Sequence, residues 1–190
     1  MKREPHVRFC EGAGVRFPRA TRLVILCRSQ HEAEKALTEV VEWTVAVGLQ
    51  LHPDKTRIVD ATQPEGFDFL GYHFERGYRW PSPKSLRKFQ DRIRAKTKRT
   101  SGYSLQRIIS ELTPAQKGWF EYFKHSHWTA FRNLDSWIRM RLRSILRHRQ
   151  GRKGRALGLD HHRWPNTFFA EQGLFSFITA YVQIRQSSRR

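Results

Sequence analysis

Apolar positions change their rhythm twice along the chain. Residues 1–22 hold no sustained period and are interrupted by Gly12, Gly14 and Pro18. Leu23-Val24-Ile25-Leu26-Cys27 is a short apolar run that predicts a buried strand. Ser29 stands three residues before Glu32, the spacing of a capping box, and opens a helix. That helix carries Ala33, Ala36, Leu37, Val40, Val41, Thr44 and Val47 at steps of three and four, with Gly48 as its stop. Leu49 to Leu51 starts a strand, His52-Pro53-Asp54 turns the chain, and Lys55 to Val59 runs extended. Phe67, Phe69, Tyr72 and Phe74 predict one further strand, shifted in phase at Gly71 by a bulge or a close approach. Glu75-Arg76-Gly77-Tyr78 has turn chemistry before Arg79-Trp80 returns. Strand, helix and meander together predict an α+β unit.

Pro81-Ser82-Pro83 marks a boundary, and the pattern beyond it is helical. Leu86, Phe89 and Ile93 form a narrow apolar stripe until Ser101-Gly102 breaks it. Ser104 to Leu112 predicts a short helix. Thr113-Pro114 then opens another, with Gln116 completing a second capping box. Phe131, Leu134, Ile138, Leu142 and Ile145 mark the buried stripe of a longer helix. Gly151 to Gly158 is a basic loop, and Trp164 to Tyr181 closes the fold on aromatic packing.

Charge changes this picture most. The chain has 36 Lys+Arg against 17 Asp+Glu, a net charge of +19. Residues 84–155 alone hold 20 of those cations and 4 of the acids, so the excess is concentrated in one segment. A compact domain charged in this way repels itself unless a polyanion neutralises it. The 38% hydrophobic content excludes wholesale disorder. No run of about 18 apolar residues and no lipidation motif points to a membrane. Cys10 and Cys27 make no disulfide framework, so a cytoplasmic setting is expected. His125, His127, His161 and His162 lack a partner at ligand spacing; neither metal nor cofactor is expected.

The candidate chemistry is therefore nucleic-acid contact. Arg87, Lys88, Arg92, Lys96, Lys98 and Arg99 fill the polar faces of the first basic helix. Arg132, Arg139, Arg143 and Arg147 recur at steps of seven and four, which predicts one phosphate-facing stripe. Lys117, Lys124, Arg152 and Lys153 extend the set. Trp119 and Phe123, four apart, are expected in the core. Tyr122 is the aromatic left to meet an unpaired base.

Several blocks carry a family resemblance in order. Leu23 to Ser29, Gly48-Leu49-Gln50-Leu51-His52-Pro53-Asp54-Lys55-Thr56 and Phe67-Asp68-Phe69-Leu70-Gly71-Tyr72 resemble the palm of bacterial group II intron reverse transcriptases. Leu112-Thr113-Pro114, Lys117 to Phe123, Phe131-Arg132-Asn133-Leu134-Asp135, Trp164-Pro165-Asn166 and Gly173-Leu174 are similar to the maturase domain that follows it. The resemblance implies a non-matching, mobile segment at 1–22, a partial palm at 23–83, and a basic thumb-like helix with a maturase domain at 84–190. It also implies that the partner is structured group II intron RNA.

One departure is plain. The family places Tyr-Ala-Asp-Asp before the apolar strand, and those carboxylates hold the catalytic metals. Here the stretch reads Arg19-Ala20-Thr21-Arg22, so Thr21 and Arg22 stand where the aspartates belong. No catalytic residue is expected. The two alternatives are an RNA-directed DNA polymerase and a non-functional remnant of a mobile element. Lys55, which echoes a polymerase lysine, is expected to be solvated or to touch phosphate.

The resemblance switches on abruptly at Leu23, which suggests a change of reading frame. Ala20-Thr21-Arg22 written GCT-ACG-CGN yields Tyr-Ala when read from its third base. Sequencing the gene is expected to show palm-like protein in a shifted frame upstream of Leu23; two frames without it would refute the idea.

Overall fold

The computed structural model describes residues 6–11, 22–156 and 158–187. The chain forms two compact units, residues 1–78 and 79–190, and its class is α+β.

In the first unit, β1 (His6–Glu11), β2 (Arg22–Cys27) and β3 (Thr56–Val59) form an antiparallel sheet in the order β2-β1-β3. Residues 6–11 were expected to show no secondary structure. His6–Glu11 is the middle strand, pairing Val7 with Leu26 on one side and with Val59 on the other. The reason is legible in the residues: Val7 and Phe9 alternate with His6 and Arg8, a period of two too short to stand out. Residues 1–5 and 12–21, including Thr21, lie outside the described residues.

Helix α1 (Gln30–Ala46) starts as its sequence predicts. Ser29 Oγ accepts the Glu32 N–H at 3.2 Å, while the Glu32 carboxylate reaches back to the Arg28 N–H at 2.7 Å. Its buried stripe is narrower than expected. Ala33 and Thr44 are buried, but Val41 and Val47 are exposed beside Trp43 and Val45, because α1 packs mainly on β2.

The aromatic stretch is not one bulged strand. It is β4 (Phe67–Phe69), β5 (Tyr72–Glu75) and β6 (Tyr78–Pro81) in meander order. Leu70 at φ 47° and Gly71 at φ 79° make a two-residue turn, and Arg76 at 48° with Gly77 at 75° makes another. Positive φ at both central positions matches the right-handed twist of flanking strands. Phe67 and Phe74 face each other across β4 and β5 with ring centroids 5.1 Å apart. The close approach lies at Gly66, where a Cβ would meet the Phe74 carbonyl oxygen at 2.2 Å.

The second unit holds α2 (Pro83–Lys96), α3 (Leu105–Phe123), α4 (Trp128–Arg149), α5 (Leu159–Arg163), α6 (Asn166–Glu171) and α7 (Phe177–Ser187). Ser82 and Ser104 cap α2 and α3 through their hydroxyls. The two helices expected at 104–112 and from 113 onward are one. Pro114 sits inside α3 and removes a single amide donor. Leu105, Ile108, Ile109, Leu112, Ala115, Gln116, Phe120 and Phe123 nonetheless keep one buried face along the whole length, which outweighs that loss. Gln116 is no cap; it is buried and donates to the Phe175 carbonyl at 3.3 Å.

Phe131, Leu134, Ile138, Leu142 and Ile145 of α4 form the centre of this core, with Phe89, Ile93, Phe120, Phe169 and Phe177 around them. Among the described residues of the first unit, Ala61 and Phe67 form a small buried apolar cluster with Val24, Val59, Phe69 and Phe74 against it, and Cys27 and Ala33 are buried as well. Apolar burial drives folding at about 25 cal/mol per Å², so the second unit is expected to be the more stable. Hydrogen exchange is expected to be slower at the amides of α3 and α4 than at those of β3, β4 and β5. Equal protection would contradict this ledger of burial.

Candidate nucleic-acid interface

The structure sorts the fifteen expected contact residues into two kinds. Arg87, Lys88 and Arg92 are exposed on α2, and Lys98 and Arg99 are exposed just beyond its end. Lys84, Arg87, Lys88 and Arg92 are spaced by three and four residues, so one strip of the helix surface collects them, and Lys98 and Arg99 follow past its end. Asp91 does not dilute the strip, because it pairs with Arg94 at 2.6 Å. Lys96 is half-buried, 3.9 Å from Glu111 of α3. On α3, Lys117 and Tyr122 are exposed, and just past its end Lys124 lies 3.0 Å from Glu121.

On α4 the expected stripe divides. Arg132 is exposed, its guanidinium 5.9 Å from the Trp128 ring centroid. Arg143 is 2% exposed, so it is an interior residue and not a phosphate ligand. Its Nε donates to the Trp164 carbonyl and one terminal nitrogen to Asn166 Oδ1, both at 2.8 Å. Arg147 pairs with buried Asp160 at 2.7 Å and donates to the Lys153 carbonyl at 3.0 Å. Arg139 is half-buried, 4.0 Å from the Asp135 carboxylate. Steps of seven and four do place these residues on one face, but that face meets α5, α6 and the 150–158 loop. Arg152 and Lys153 of that loop are exposed.

Asp135, one turn before Arg139 on α4, anchors the start of α7. Its carboxylate accepts from Ser176 Oγ at 2.8 Å and from the Phe177 and Ile178 amides at 3.0 and 3.2 Å. Those are the orphan donors at the start of α7, where the helix dipole also favours a negative charge. Nothing in the spacing of Asp135 announced this.

A cationic knot that the sequence also left unmarked forms at the end of α2. Arg141 donates to Thr97 Oγ1 at 2.6 Å and to the Thr97 carbonyl at 2.9 Å, which ties α2 to α4. Arg94 and Arg141 both lie over the Trp137 ring, at 5.6 and 5.4 Å. Burial lowers the pKa of Arg141, and the repulsion of Arg94 and Arg99 lowers it further. Arg143 is lowered by burial and by Arg139, with Asp160 opposing. Both stay charged at neutral pH, since each shift starts from the high arginine value.

Residues 86–164 match the family model for the group II intron, maturase-specific domain. The matched span lies within the helical unit. No curated protein matches the chain. The maturase-specific match runs from the first turn of α2 to Trp164, yet the domain's core does not stop there. Phe169 and Phe177 are fully buried in it, and Asp135 and Arg143 reach beyond the matched span for their partners. No helix among the described residues is long and apolar enough to cross a membrane.

The division of the α4 arginines has a measurable result. Arg143→Ala would strand buried acceptors and is expected to lower the unfolding free energy by about 2 kcal/mol. Arg132→Ala should stay within about 0.5 kcal/mol. Urea unfolding of the two variants checks this; equal losses would put Arg143 back on the surface.

Proposed function

We propose that the chain is a maturase-type RNA-binding fragment that grips folded group II intron RNA and assists its splicing, while the RNA does its own chemistry. The observation that carries this role is the exposed strip of Arg87, Lys88, Arg92, Lys98 and Arg99 within a maturase-specific domain. Arg94, Arg99 and Arg141 crowd at the end of the same helix and repel one another. Phosphates placed there would relieve that repulsion and release condensed counterions. Lys117, Arg132, Arg152 and Lys153 add exposed cations, whereas Arg143 acts from inside the fold.

The first unit is best understood as a remnant of a reverse-transcriptase palm, on the strength of the blocks quoted above. Thr21 and Arg22 replace the metal-binding aspartates of that family, so templated synthesis is not part of this role. A primer-extension assay with Mg²⁺ separates the two ideas. Extension would favour the polymerase, and faster splicing of a group II precursor RNA without extension would favour the maturase role.

Salt dependence tests the surface directly. Neutralising about five phosphates gives a log–log slope of roughly −4 for structured RNA. Changing Arg87, Lys88 and Arg92 together to Ala is expected to flatten that slope by up to about three units. An unchanged slope in a folded triple variant would move the contact surface away from α2.

A further inference from the structure

Two glycines on the helical unit have no reason in the protein's own packing. Gly118 lies in the interior of α3, where glycine costs about 1 kcal/mol relative to alanine. Its φ is ordinary, and no atom lies within 4 Å of where a Cβ would stand. Gly102, in the turn between α2 and α3, is open in the same way. Neither a close backbone approach nor a left-handed conformation requires glycine at either place. Each instead keeps a cleft open.

Gly118 lines a cleft of about 350 Å³ between α2 and α3, walled by Lys88, Arg92, Trp119 and Tyr122. Tyr122 is 53% exposed, its ring set edge-on by Phe123 at 4.8 Å. The buried indole N–H of Trp119 finds no acceptor among the described residues. Gly102 lines a second cleft of about 580 Å³ with Arg92, Lys96, Lys98 and Tyr103. Tyr103 is 50% exposed, and Arg107 covers its ring at 4.0 Å. The Arg149 guanidinium holds the Ser101 and Tyr103 carbonyls, which fixes this turn. Arg92 is common to both clefts, so they adjoin along α2.

We propose that these adjoining clefts form a site for an unpaired segment of RNA. The phosphates follow Lys88, Arg92, Lys96 and Lys98, and bases enter beside Tyr122 and Tyr103. This rests on the RNA-binding role above and adds to it a strand-state preference. A basic groove with an aromatic platform at each end is the physical recipe for single-strand binding: stacking accepts any base, and duplex ends cannot unstack into it. Lys88 and Lys96 are about 12 Å apart along the helix rise, and Lys98 lies beyond them, which suits a site on the order of four nucleotides. Room for bases explains why both clefts keep a glycine.

The test uses the whole chain with two probes, a short fluorescein-labelled oligouridylate and a blunt RNA duplex. Gly118→Phe puts a ring into the first cleft from a position where a Cβ has open space, and it removes a mid-helix glycine, so its melting temperature should stay close to that of the parent. It should weaken oligouridylate binding about tenfold and leave duplex binding within about twofold. Tyr122→Ala and Tyr103→Ala should each do the same, and Tyr122→Phe should restore binding because it keeps the stacking face. Gly102→Leu provides the equivalent block in the second cleft if Gly118→Phe folds poorly. Oligouridylate binding that survives both blocks would overturn the proposal while leaving the RNA-binding role intact, provided duplex binding persists. Equal losses on both probes would also overturn it, by making the clefts part of a general phosphate surface. A parent chain that binds neither probe would remove both ideas together.

Discussion

Burying Arg143 constrains the helical unit more than any other single choice in it. A guanidinium withdrawn from water must find acceptors in fixed directions, or the cost of its desolvation is not met. The acceptors here are the Trp164 carbonyl and the Asn166 side chain. They pull the chain back across α4, and Phe169 comes to lie 5.2 Å beneath the same guanidinium. From that point α6 and α7 have little freedom. Asp135, two turns earlier on α4, receives the first amides of α7 and seats Phe177 in the core. Two charged side chains of opposite sign on one helix thus fix where the last helices close.

This explains how a domain with so much positive charge folds at all. Part of its cationic content acts as internal scaffolding, with Arg141 on Thr97, Arg147 on Asp160 and Arg143 on the α6 entry. The remainder is exposed on α2, at Lys117 and Arg132 on α3 and α4, and in the loops, where solvent and counterions screen it. The two populations are chemically identical and differ only in what their helix faces.

That is also why the site was only partly legible in the sequence. The apolar stripe of α4, the Ser29 cap and the exposure of Tyr122 follow from local spacing and were readable. The role of the α4 arginines was not, since periodicity says which residues share a face but not what stands opposite. Pro114 misled because local propensity argues for a break, and only the continuous buried face of α3 overrides it. Leu70-Gly71 misled because a leucine rarely takes positive φ, so a turn looked like a bulge. The strand at His6–Glu11 was hidden by its brevity and by its distant partners, Leu26 and Val59.

That strand carries a consequence for the order of folding. Because β1 lies between β2 and β3, the pairing of Val7 with Val59 must close a loop that contains the whole of α1. Contacts of such sequence separation are slow, since the entropy of loop closure is lost before any pairing is gained. The hairpins at Leu70-Gly71 and Arg76-Gly77, by contrast, join neighbours and can form within microseconds. The meander can therefore form while β1 still waits for its second partner. A chain leaving the ribosome would carry an incomplete sheet with an open edge until Val59 has emerged.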